Sequence, residues 1–419
     1  MKTFALKASV IAVRVLAAIA GLFVNKRDGI VLISCEQNEP SQDILDLTTT
    51  LQNIVENIDK RQIRITSGKM KRSVGGAFTF IGKLFTMLRY IAGARIVIID
   101  AYCMAVSIPK KREDQKVIQL WHAPEAIKKF SWQIVDTPAG YTRQTAEILC
   151  MHRNYDYILC PSDATRPFFS QSFDYPESVF IKYGLPSLDR IGLMKRPEEG
   201  ESETPERIAA REKIYKRYPH FTGTVESRPP LIIYAPTFRD GALADAAGFV
   251  RGFAETLKKK RLAGENPEEP SIVLKLHPFE TDSISESSGR EIFDHAMIDE
   301  EFPLIDWYAA ADVIVTDYSG VAVDAAAAGI ASYYYIYDIE DYISRRGLNV
   351  DMRQESISKY CYQNATELAT QILNDFPDSK QDPATKYDYK ALTAFATKYL
   401  EVPLNGNTPR LAEFIAALL

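Results

Sequence analysis

The sequence predicts an α/β protein built from two Rossmann-like, parallel-sheet domains, and three observations predict it. Short apolar, β-branched runs recur along the chain with helical patterns between them, as βαβ units require. A chain of 419 residues exceeds what one core absorbs, so two domains are expected. Four polar stretches each stand where an apolar run ends: Trp121-His122-Ala123-Pro124, Tyr234-Ala235-Pro236-Thr237-Phe238-Arg239-Asp240, Lys275-Leu276-His277-Pro278 and Thr316-Asp317-Tyr318-Ser319-Gly320. The carboxyl edge of an open α/β sheet is where ligands bind, so stretches from both halves suggest one cleft faced by both domains.

From the amino end, residues 4–24 are largely apolar but contain Lys7 and Arg14. The uninterrupted apolar run 15–24 falls short of the ~20 residues that span a bilayer. Seven residues apart, the two cations share a helix face. The expectation is an amphipathic helix over 1–24 lying in a membrane interface, its cations towards acidic head groups. The alternatives are a helix packed on the protein's own core and a signal peptide. Ala18-Ile19-Ala20 resembles a cleavage site, but Arg14 interrupts the apolar region before it.

Residues 29–34 read as a buried parallel strand and 42–60 as helix. Strands follow at 94–100, 116–121 and 155–160, the last running into Pro161-Ser162-Asp163, a helix start. The charged stretch 195–207 has no apolar periodicity and reads as a linker between domains at 25–195 and 208–390. In the second domain, 231–235, 272–276, 312–316 and 331–336 read as strands and 321–329 as an Ala-rich helix. Residues 263–271 and 280–291 read as surface loops, and 391–419 as C-terminal helices broken at 403–407.

Apolar content of 46% and charged content of 25% are those of a globular protein. A net charge of -5 argues against a nucleic-acid binder. Five cysteines without a Cys-x-x-Cys pair indicate neither a disulfide framework nor a thiolate zinc site, and fit a reducing cytosol. No Asp-x-Asp pair stands at a strand end, so no metal site is expected.

His122, at a strand end, has the side chain whose ordinary pKa suits a base near neutral pH. The alternative is a capping or core histidine. Lys275 and His277 can place donors beside an anion, or Pro278 can simply set a turn. Thr316, Asp317, Ser319 and Gly320 open a helix, where backbone N–H groups attract anions; a plain N-cap explains them nearly as well. Arg239 is either a phosphate clamp or the partner of Asp240 in fixing its loop. Lys128 and Lys129 face an anionic acceptor or form a solvated helix face, and Asp324 faces a ribose hydroxyl or solvent.

Together these stretches resemble, over residues 25–360, the bacterial CDP-glycerol glycerophosphotransferases, which build poly(glycerol phosphate) teichoic acids and related polymers. Also similar are 119–130, Tyr183-Gly184-Leu185-Pro186 ahead of Asp189, and Tyr342 with Arg346-Gly347. Three positions depart from the family pattern. Ala123-Pro124 replaces a frequent Gly-Thr, Lys275 an Arg, and Gly320 a second Ser. Lysine keeps the charge but loses bidentate phosphate geometry. In length the chain looks like the short members, primases among them.

The resemblance implies a GT-B-like architecture that binds the CDP-glycerol donor in the C-terminal domain without a cofactor or structural metal. It implies His122 as the base. His277, a second catalytic candidate, would hold the diphosphate with Arg239, Lys275, Thr316, Asp317, Ser319, Gly320 and Arg346. The expected partner is a lipid-linked glycan or polymer acceptor at the cytoplasmic face of the membrane, met by a peripheral protein. The rival expectations are a CDP-ribitol donor, a nucleotide-sugar donor, or a catalytically silent nucleotide-binding module.

Overall fold

The computed structural model describes residues 2–419 apart from 26, 36–37, 56–61, 69–73, 199, 222–228, 240–244, 277–295 and 377–385. The chain divides into two compact units, Met1–Asp189 with Glu401–Leu419, and Arg190–Leu400.

The first unit holds β1 Gly29–Ser34, β2 Ile63–Ser67, β3 Ala94–Ile99, β4 Lys116–Gln119, β5 Tyr157–Leu159 and β6 Phe180–Ile181. They form one sheet in the order β2-β1-β3-β4-β5-β6, with every pair parallel. Its central strands lack polar alternation because both faces are covered. On one face Val31, Ile33, Val97 and Ile99 pack with Val10, Val13 and Ala20 of helix Lys2–Leu22 and with Leu84, Met87 and Leu88 of helix Val74–Gly93. On the other, Ile30, Leu32, Ile96 and Ile98 meet Ile44, Leu47 and Leu51 of helix Gln42–Ile54, and Leu411, Ala412 and Ile415 of helix Asn407–Ala416. Each fully buried Leu or Ile in these layers is worth roughly 1.5–3 kcal/mol.

The amino-terminal helix is two-faced. Val10, Val13 and Ala20 are buried, while Phe4, Ile11, Val15, Ile19 and Leu22 stand exposed. By length and composition Thr3–Leu22 could cross a bilayer, contrary to the shortfall expected from the run 15–24. Its packed face joins it to the sheet layer, as the core-helix alternative required; its exposed face is what an interfacial helix requires.

The second unit holds β7 Leu231–Tyr234, β8 Ser271–Leu274, β9 Met297–Ile298, β10 Val313–Thr316, β11 Ala331–Tyr335 and β12 Cys361–Tyr362. This sheet is also all parallel, in the order β12-β11-β10-β7-β8-β9. Helices Ala246–Leu262 and Ala365–Asp375 pack on each other at Gly252, where an added Cβ would lie 2.6 Å from the Ala365 backbone. Only glycine allows that approach.

The eight strands expected from apolar runs are present. The four not foreseen, β2, β6, β9 and β12, lie at or near sheet edges, and three of them are only two residues long. Stretch 195–207 is not a free linker. Arg207, 6% exposed, donates to the Met194 and Tyr308 carbonyls and pairs with Glu203, which Arg211 also binds. The Arg211 hydrogen bond pulls the Glu203 carboxyl down to about 2, Arg207 assisting against partial burial. Charges that lacked periodicity are thus paired within the second unit. The division falls at Asp189 and Arg190 instead, and residues 401–419 return to the first unit. The loop expected at 280–291 lies outside the described residues.

Candidate active site

Each sheet changes winding direction once, between β1 and β3 in the first unit and between β7 and β10 in the second. The carboxyl edge at such a switch point opens a crevice for ligands.

In the first unit, Asp100 follows β3 at this edge and is 3% exposed. Its carboxylate accepts from Ser34 Oγ at 2.5 Å, Ser41 Oγ at 2.9 Å and the Cys35 N–H at 2.9 Å. Its carbonyl oxygen lies 3.3 Å from His122 Nδ1, just past β4. A carbonyl can only accept, so the proton sits on Nδ1 and Nε2 is the basic nitrogen of the ring. Trp121 steadies the loop, with its ring 4.3 Å from the His122 ring and stacked at 4.9 Å on Phe130.

The backbone here is strained. Among the described residues, seven of the eight non-glycine residues with positive φ fall between 121 and 154, Trp121, Ala126 and His152 included. Such conformations persist only where surrounding packing over-determines them, and they gather at functional loops. Glu125 is buried in the same loop, and burial pushes its carboxyl up to about 7, with its own backbone N–H and Lys128 pulling part of the way back. His152 lies in an aromatic nest with Trp121 and Phe173, its Nδ1 3.0 Å from the Tyr155 hydroxyl. Burial pulls this imidazole down to about 3, and the nearby His122 adds to the effect. Lys128 and Lys129 are half-buried on loop, not on a helix face.

In the second unit the 234–240 and 316–320 motifs are stitched together across the switch point. The Ala235 N–H donates to Val315 O at 2.9 Å, Thr316 Oγ1 donates to Ala235 O at 2.6 Å, and the Thr237 N–H donates to Asp317 Oδ1 at 2.8 Å. Asp317 is fully buried. Arg239 donates through Nη2 to Asp317 Oδ2 at 2.8 Å and binds Asp338 through Nε at 2.8 Å and Nη2 at 3.0 Å. It also lies over the rings of Tyr318 and Tyr342. Burial opposes its charge, but the Asp317 and Asp338 carboxylates outweigh that and raise its pKa.

These contacts correct two expectations. Arg239 is not an open phosphate clamp; its charge is taken by Asp317 and Asp338, and it shapes the turn, while Asp240 lies outside the described residues. Lys275 is likewise occupied, donating to Asp299 Oδ2 at 2.9 Å and to the carbonyls of Asp299 and Phe302. The Thr316 and Asp317 side chains point into the fold. Ser319, Gly320 and Arg346 remain half-buried at its surface. Helix Val321–Ala327 carries Asp324, half-buried, in its first turn. His277 lies outside the described residues. Among the described residues no group of His, Cys, Asp and Glu could hold a metal ion.

Asp338, His152 and the Ser34–Ser41–Asp100 cluster carried no motif in the sequence, and Glu125 lay within the 119–130 stretch without being singled out. The one available signal was Asp100, the polar end of an otherwise apolar run.

Comparison with known proteins bears on what this edge serves. A teichoic acid ribitol-phosphate primase of Bacillus spizizenii is 25% identical over 332 residues, 78% of each chain. A teichoic acid glycerol-phosphate primase of Bacillus subtilis is 24% identical over 271 residues, 65% of this chain and 63% of that one. The chain thus spans less than two thirds of the latter's length. The wall teichoic acid polymerase TagF has a similar fold, with a TM-score of 0.63 at 16% identity over 100% of this chain and 96% of that one. Residues 16–416 match the family described as CDP-glycerol:poly(glycerophosphate) glycerophosphotransferase, and the chain belongs to that family.

Proposed function

We propose that the protein transfers glycerol phosphate from CDP-glycerol to a hydroxyl of a membrane-associated glycan or polymer acceptor in teichoic-acid-type synthesis, releasing CMP. The family match across residues 16–416 supports the donor and reaction class. The tautomer that Asp100 imposes on His122 carries the mechanism. The acceptor hydroxyl gives its proton to Nε2 as its oxygen attacks the β-phosphorus. A new P–O bond forms, the bond from that phosphorus to the bridging oxygen breaks, and the oxygen leaves on CMP. Ser319 and Gly320 offer backbone and hydroxyl donors to the diphosphate, and Arg346 the positive charge. His277 is proposed as a further diphosphate ligand on the family resemblance alone. No resident metal or cofactor enters the reaction as proposed.

The exposed ridge of helix Lys2–Leu22 supports peripheral attachment at the cytoplasmic membrane face, where a lipid-linked acceptor is presented. The test is CMP release from CDP-glycerol on a lipid-linked acceptor. His122→Ala should abolish it, and retention of near wild-type turnover would remove His122 as the base.

A CDP-ribitol donor is the second reading, favoured by the ribitol-phosphate primase aligned over 78% of both chains. Competition between the two donors on one acceptor separates them.

A further inference from the structure

A cavity of about 640 Å³ lies beside helix Lys2–Leu22 in the first unit. Ala17 and Ala18 of the helix form one wall, their small side chains leaving room. Arg14, Lys110 and Arg153 supply its charge, and no acidic residue is among its described lining residues. None of these three cations makes an ion pair among the described residues. The nearby carboxylate of Asp156 is taken by Lys111 at 2.5 Å and accepts the Val117 N–H at 2.8 Å.

The site is built rather than incidental. Asn154, at φ 76°, donates through Nδ2 to the carbonyls of Val106 and Pro109 at 2.8 and 2.9 Å, fixing the loop that carries Lys110. Arg14 Nε reaches the Ile108 carbonyl at 3.4 Å, so helix and loop meet at the cavity.

Position relative to the helix decides the ligand. Arg14 stands three residues from Ile11, and Ala18 stands three from Val15 and four from Leu22, hence beside them on the helix surface. Those three residues belong to the exposed apolar ridge, Ile11 being 61% and Leu22 81% exposed. The helix sequence contains no acidic residue. An anion seated among Arg14, Lys110 and Arg153 would therefore have apolar surface next to it, which suits acyl chains and not a freely soluble phosphate.

We propose that this cavity binds the phosphate head group of an anionic membrane lipid, fixing the protein's depth and orientation on the bilayer. The proposal rests on the interfacial reading of helix Lys2–Leu22 and deepens it.

The test is sedimentation of the full chain with vesicles of phosphatidylcholine alone and with added phosphatidylglycerol. Three proteins are compared: wild type, the triple variant Arg14→Gln, Lys110→Gln, Arg153→Gln, and the ridge variant Ile11→Ser, Val15→Ser, each checked for unchanged thermal midpoint. Wild type should favour anionic vesicles. The triple variant should bind them roughly a hundredfold more weakly, at somewhat under tenfold per basic residue lost, with binding to neutral vesicles unchanged. The ridge variant should lose binding to both.

Equal binding of wild type and triple variant to anionic vesicles would overturn the head-group site and leave the interfacial helix standing. Absence of wild-type binding to any vesicle would overturn both. Release by millimolar sn-glycerol 3-phosphate at constant ionic strength would reassign the cavity to soluble phosphates and overturn the lipid source.

Discussion

The carbonyl oxygen of Asp100 lies 3.3 Å from Nδ1 of His122 and so selects the ring tautomer with its basic nitrogen at Nε2. Two adjacent strands supply the pair, since Ile99 of β3 is in register with Gln119 of β4. The Asp100 carboxylate anchors that carbonyl from behind through Ser34, Ser41 and the Cys35 N–H.

Loss of the proposed base should therefore be severe. His122→Ala is expected to lower kcat by about 10²–10⁴-fold with little change in the KM for donor. Asp100→Asn keeps the backbone carbonyl but weakens its anchor. It should lower kcat by roughly ten- to a hundredfold through misplacement, again at constant donor KM. A donor KM that rises while kcat stays level would contradict the positioning role.

Arg239 carries a different cost. Its removal leaves Asp317, fully buried, without its cation. Arg239→Ala should destabilise the second unit by about 3–5 kcal/mol in urea unfolding, and Arg239→Lys should recover only part of this because the two-pronged contact with Asp338 is lost.

Glu125 should make stability pH-dependent. Its folded pKa, about 7, lies above the ordinary 4.5 because of burial. Between those values the unfolded chain has released the proton that the folded chain still holds. The stabilisation is therefore complete below pH 4.5, drains away as pH rises towards 7, and is flat beyond. The total is on the order of 3 kcal/mol. Glu125→Gln should flatten the denaturation midpoint across this window; an unchanged slope would rule Glu125 out as its source.

His152 works in the opposite direction. Burial holds it neutral down to about pH 3, whereas an unfolded histidine charges near 6.5. Stability should fall as pH drops from 6.5 to 3, by at most about 1.4 kcal/mol per unit. His152→Phe should remove that acid sensitivity, measured as midpoint against pH; an unchanged slope between pH 3 and 6.5 would rule His152 out as its source.

Much of the fold was legible because buried parallel strands leave apolar runs such as 29–34 and 94–100, and polar motifs mark where they stop. Edge strands such as Phe180–Ile181 were not, since two residues make no pattern. The ion pairs of Arg239 and Lys275 were invisible for another reason. Asp338 stands 99 residues from Arg239 and Asp299 stands 24 from Lys275, and no local rule joins such positions. A cation at a strand end reads alike whether a ligand or a carboxylate receives it. For His122 the sequence exposed the chemical group but not the Asp100 carbonyl that decides its protonation.

Helix Asn407–Ala416 has a consequence for how the molecule is made. Asp189 grips it through the Asn407 and Thr408 N–H groups at 2.8 Å each, and an added Cβ at Gly184 would strike Asn407. The front unit thus lacks one of its covering layers until residues 401–419 emerge from the ribosome, after the whole of Arg190–Leu400 has been synthesised. The nascent chain must carry a half-clad sheet through that interval, so a stop codon near position 400 should injure the half of the protein that was translated first.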